Sequence, residues 1–174
     1  MTLTPQPWNP CDTFLNHGSP CDSSDRFFLY APGPGIDAID LSEGRPLVTL
    51  KRREVRGLRV QVDGLRATSH RNLVNLKNAF LDNDAVSFVY ELASVSFKEI
   101  REVEKLRFGI AETLNGLIYI HDELGIRHSK LTCDNIFITD EGAVKIANIG
   151  ESMIRAEGEH EPSGDVQDVL SRIC

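Results

Sequence analysis

Long apolar runs are missing from this chain. None approaches the roughly 20 residues that a membrane-spanning helix needs, so no span of that kind is expected. A positive excess is missing too: 19 Lys and Arg face 26 Asp and Glu, giving a net charge of −7. That balance argues against nonspecific binding to nucleic acid or to anionic membrane. The opening MTLTPQPWNP lacks a basic start followed by an apolar core, so no secretory leader is expected. Cysteine is sparse, with 4 residues that form no C-x-x-C pair and have no histidine at metal-ligand spacing. Reduced thiols in an intracellular, cytoplasmic protein are the expectation. No internal repeat is found. What remains is a chain of 174 residues, 41% of them hydrophobic, enough for one cored domain or slightly more.

Residues 1–26 mix Pro, Asn, Asp and Ser without a sustained period and are expected to form a disordered tail, with Trp8 able to dock on a surface. Phe27 to Tyr30 and Pro46 to Lys51 have strand composition, separated by the turn-rich PGPGIDAIDLSEGR. From Glu54 to His70, Val55, Leu58, Val62 and Leu65 recur at helical spacing, weakened by Gly57 and Gly64. Two strands are then expected around Leu81 to Asp84. Between Arg101 and Leu124, Val103, Leu106, Ile110, Leu114, Leu117 and Ile118 keep the helical period, and Gly125 is a plausible stop. NIFIT and AVKIA flank Asp140-Glu141-Gly142 as a hairpin. Ile154 to Gly164 is polar, and DVQDVLSRIC begins another helical pattern.

The most informative stretch is His128 to Phe137, HSKLTCDNIF, followed by VKIANIG at Val144 to Gly150. It resembles the H-R-D-L-x-x-x-N loop and the D-F-G loop of protein kinases, with His128, Leu131 and Asn135 at matching positions. Other landmarks follow in the same order. VTLK resembles V-A-I-K and makes Lys51 the candidate phosphate-binding lysine. SHRNLVNL resembles the segment after the regulatory helix, and FVYEL the strand entering the hinge. There Tyr90 would be the gatekeeper, and Glu91 to Ala93 would offer backbone groups to adenine. Leu65, Leu76, His128 and Ile149 match the four positions of the internal spine, and Gly164-Asp165 resembles the start of the main large-lobe helix.

The resemblance implies an α+β, protein-kinase-like fold. It comprises a small β-rich N-lobe with one regulatory helix over residues 27–92, and a truncated helical C-lobe over 93–174 with a shortened activation segment. It also implies which chemistry is lost. Lys130 takes the position of the catalytic base and, as an ammonium ion, cannot accept a proton. Asn148 replaces the magnesium-binding aspartate, leaving Asn135 as the weak remaining metal ligand. Gln61 falls where the lysine's glutamate partner is expected. The glycine-loop candidates Gly33 and Gly35 enclose Pro34, which has no N–H to offer a phosphate. Asp134 is expected to face away from the site. The expectation is therefore a catalytically inactive pseudokinase that binds an unknown protein partner, with weak ATP binding and doubtful use of magnesium. Two alternatives stand beside it: an active Ser/Thr kinase, and a non-functional truncated fragment. The apolar stripe of the Arg101–Leu124 helix is expected to lack its usual cover, which favours self-association.

Overall fold

The computed structural model of the chain describes residues 14–17, 27–31, 36–41, 44–55, 60–81, 84–100 and 103–156. Its largest element is a six-stranded sheet built from β1 (Leu15–His17), β2 (Phe27–Ala31), β3 (Ile36–Asp40), β4 (Leu47–Glu54), β6 (Leu76–Leu81) and β7 (Ala85–Glu91), ordered β1-β6-β7-β4-β3-β2. β7 reads AVSFVYE and is buried along nearly its whole length, because β6 and β4 flank it and apolar layers cover both faces. Val86, Phe88 and Tyr90 enter the larger core, whereas Val89 points into a smaller one with Phe27, Ala38, Val48, Leu50 and Phe80. On β4, Val48 and Leu50 fill that smaller core, and the same alternation gives Thr49, Lys51 and Arg53 the opposite face.

Three expectations require correction. The tail over residues 1–26 is not wholly disordered, since Leu15–His17 pairs in parallel with Ala79 to Leu81. The turn-rich stretch before β4 contains a strand, β3, whose Ala38 is fully buried and whose Asp37 accepts a hydrogen bond from the Thr49 hydroxyl at 3.0 Å. Among the described residues of the 54–70 stripe no regulatory helix forms. β4 runs on to Glu54, and Val60–Gln61 forms β5 of a two-stranded sheet with β11 (Arg155–Ala156). Asp63 and Gly64 lie in a turn. Gly57 and Gly64 each disfavour a helix by about 1 kcal/mol, and Val60-Gln61-Val62 satisfies a period of two as well as a helical one.

The remaining elements follow the sequence closely. β8 (Val95–Ser96) leads into a 3₁₀ turn, Phe97–Glu99, where Glu99 accepts from both the backbone N–H and the hydroxyl of Ser96. Helix α1 (Val103–Ile118) continues as a π-turn, Tyr119–Glu123, and ends before Gly125, at φ 67°. Arg66 reaches across to the last carbonyls, of Glu123 at 3.3 Å and Leu124 at 2.7 Å. β9 (Ile136–Ile138) and β10 (Val144–Ile146) form the expected hairpin, with β8 on its outer edge.

The hairpin is tied to the loop before β6. Asn72 donates to Val144 O at 2.9 Å, Val74 N–H donates to Ile146 O at 2.8 Å, and Ile146 N–H donates to Asn72 O at 2.9 Å. Lys145 bridges to Glu91 at 2.6 Å, joining the hairpin to the end of β7. The larger core therefore runs without a break from the sheet to α1, through Leu73, Leu76, Phe88, Leu117, Ile120, Ile136 and Ile146. On the other side of α1, Ile110, Leu114 and Ile118 are 44%, 39% and 56% exposed.

Candidate functional site

The loop from His128 to Asn135 and the segment from Ala147 to Met153 are laced together by short-range bonds. His128 is buried, and its Nε2 lies 2.7 Å from Ala147 O. A carbonyl only accepts, so Nε2 carries the proton and Nδ1 is left as an acceptor, buried and without a partner. Burial lowers the affinity of His128 for a second proton and keeps the ring neutral. Ala147 N–H donates to Asn135 O at 2.8 Å. Asn135 in turn donates its amide to Lys130 O at 2.7 Å.

Asn148 stands at φ 66°, a left-handed conformation that Asn tolerates better than most residues. Its amide nitrogen donates to Asn135 Oδ1, while its own Oδ1 is buried without a partner. The two amides thus bond to each other. Beyond it the chain turns into the short helix α2 (Ile149–Met153). Gly150 N–H donates to the Tyr90 hydroxyl at 2.9 Å. A Cβ on Gly150 would lie 2.6 Å from the Phe88 ring and 2.7 Å from the Tyr90 oxygen, so this close approach requires glycine. The buried Tyr90 phenol is pushed far above its ordinary range by desolvation and stays protonated.

Charge in the cleft converges on Glu151. Lys130 Nζ lies 3.2 Å from Glu151 Oε2, and Arg53 donates to Glu151 O at 3.2 Å. Lys51, on the same face of β4 as Arg53, has its pKa lowered by burial and held up in part by the Glu151 charge. Glu151 is the residue that reading the sequence missed. Its signal was an acid directly after Asn148-Ile149-Gly150, facing a loop that carries lysine.

Residues 50–168 match the protein kinase domain family. The chain belongs to that family. Among its relatives, cyclin-dependent kinase F-3 of Oryza sativa subsp. japonica is 33% identical over 52% of this chain and 22% of its own length. Serine/threonine-protein kinase Tao of Drosophila melanogaster is 33% identical over 52% of this chain and 9% of its own. Guanylate cyclase 32E of the same fly is 25% identical over 68% of this chain and 11% of its own. The chain spans less than a quarter of the length of each of these relatives.

Within this kinase domain the anticipated residues fall as follows. Lys51 lies on the face of β4 shared with Arg53, where the Glu151 charge acts on it; Gln61 is exposed on β5 and pairs with Arg155 in the sheet. Leu76 and Ile149 are fully buried in the larger core, Leu65 packs against it half-buried, and His128 is buried. The Glu91 carboxylate turns away to Lys145 and Asn75, and its N–H donates to Asn75 O at 3.0 Å, which removes that donor from any ligand. Ala93 is half-buried just beyond β7. Asp134 turns out to Lys98 at 2.6 Å. Gly33, Gly35, Asp165 and the expected activation segment beyond Ala156 lie outside the described residues, as do Cys11, Cys21 and Cys174. Cys133 is a half-buried free thiol.

Kinase domains generally use ATP and magnesium. The donor set here fits magnesium poorly: Asn135 Oδ1 already accepts from Asn148, and the Glu151 carboxylate is held by Lys130. Among the described residues, no three His, Cys, Asp or Glu side chains gather as metal ligands, and no helix is long and apolar enough to cross a membrane.

Proposed function

We propose that this kinase domain does not transfer phosphate and serves as a binding module, a pseudokinase with at most weak nucleotide binding that gains little from magnesium. The observation that carries this reading is the Asn135–Asn148 amide pair beside the Lys130–Glu151 ion pair. A cation stands where the family places its base, and two neutral amides stand where it places its metal ligands. Loss of a positioned base alone removes about 10²–10⁴-fold in rate. The exposed Ile110, Leu114 and Ile118 face is the surface we assign to association. The competing reading, ATP-dependent phosphotransfer to Ser or Thr, draws support from the relative named as a serine/threonine kinase.

Radiolabelled ATP with the purified chain and a generic basic peptide separates the two. No transfer above background is expected with magnesium or manganese. Turnover near the roughly 1–100 s⁻¹ of ordinary kinases, abolished by Lys51→Ala, would overturn the proposal.

A further inference from the structure

The misfit with magnesium raises the question of what else could neutralise an anion in this cleft. Three cationic side chains answer it. Lys51 and Arg53 share one face of β4, and Lys130 comes from the opposite loop; Lys130 and Arg53 both contact Glu151, one through its carboxylate and one through its carbonyl. Glu151 is three-quarters buried, whereas Lys130 is 70% exposed. The acid is thus the enclosed member and the lysine the accessible one. Burial leaves Lys51 short of solvation, and the Glu151 charge partly compensates. The arrangement is an anion seat with a carboxylate already in it.

We propose that Glu151 is a built-in competitor: its carboxylate, held by Lys130 and set beside the basic face of β4, takes the place of phosphate, and a polyphosphate anion free of metal enters by displacing it. This rests on the reading above that the cleft takes nucleotide weakly and without magnesium. In that picture Lys51 and Lys130 supply the positive charge that a magnesium ion supplies elsewhere in the family. Lys130 is then a ligand-binding residue. The seat favours the more negative, metal-free form of a nucleoside triphosphate over its magnesium complex, because bound magnesium cancels the charge that the lysines read.

The test is calorimetric titration of the full chain with ATP and, separately, with inorganic tripolyphosphate, each in EDTA and in magnesium. Glu151→Gln keeps shape and removes one negative charge, so both ligands should bind about tenfold more tightly in EDTA, with magnesium weakening the gain. Adding Lys51→Ala to that variant should return affinity to the wild-type level. Lys130→Met in the otherwise native chain should weaken binding several-fold, which covers the case in which Glu151→Gln fails to fold. Equal gains for both ligands place recognition in the phosphates alone, and a larger gain for ATP adds the base; either supports the seat. Wild-type binding that Glu151→Gln and Lys130→Met leave unchanged would overturn the competitor while leaving the weak-binding reading intact. Tight wild-type binding that requires magnesium would overturn that reading itself. No binding of either ligand by any variant would overturn the seat.

Discussion

At the scale of single residues, the cleft is held by groups that satisfy one another. Asn148 and Asn135 spend a donor and an acceptor on each other, and the Tyr90 hydroxyl receives the Gly150 N–H. Tyr90→Phe keeps the ring but leaves that N–H buried and unpaired, which should lower stability by about 1–3 kcal/mol. Gly150→Ala should cost about 1–3 kcal/mol by overpacking against Phe88 and Tyr90. Urea unfolding of the two variants measures both, and a shift under a few tenths of a kcal/mol for either would contradict the close approach. Residue types at fixed spacing singled out Lys51, His128, Lys130, Asn135 and Asn148, of which Lys130, Asn135 and Asn148 are joined by hydrogen bonds. They did not reveal Glu151 as the acid that pairs with Lys130 and whose charge acts on Lys51, because its placement arises from the turn at Asn148 and α2, a through-space feature with no fixed sequence separation.

At the scale of elements, strongly periodic segments were legible and ambiguous ones were not. α1 and the β9–β10 hairpin appear where their patterns put them, because one period fits each. The stretch after β4 fitted two periods, and pairing of Val60–Gln61 with Arg155–Ala156 decided between them, a partner almost a hundred residues away in the chain. β3 was hidden for the opposite reason: two aspartates in IDAID mask a strand whose buried residues are a small alanine, Ala38, and one of those aspartates, Asp40. The stripe on α1 gives the prediction that belongs here. Leu114→Lys with Ile118→Lys should change stability by less than about 0.5 kcal/mol for each exposed site and should reduce concentration-dependent self-association. Light scattering across a concentration series checks it; association that persists unchanged would remove this face from the interface.

At the scale of the whole molecule, one core joins the sheet to α1 and the hairpin, so the charge state of its buried groups bears on the entire fold. Burial lowers the pKa of both His128 and His70 below the ordinary 6.5, with Arg71 and Lys145 adding to the effect on His70. The unfolded chain therefore binds protons first. Stability is fully present above about pH 6.5 and is lost as pH falls below it, by up to about 1.4 kcal/mol per unit for His128. Comparing urea midpoints at pH 7.5 and 5.5 should show a steeper loss for the native chain than for His128→Gln; equal losses would mean the ring is already protonated when folded. The short strand Leu15–His17 carries a different consequence, one of timing. Its parallel pairing with Ala79 to Leu81 closes the longest loop in the main sheet, and loop closure is costly for so few bonds. That strand should dock last on folding and let go first, so amide exchange at Ala79, whose N–H is shared between Phe14 O and the Asn78 side chain, should outpace exchange at the centre of β7. Because Phe14 and Leu15 also pack against the larger core, release of that strand bares the edge of β6 together with part of the core beneath it.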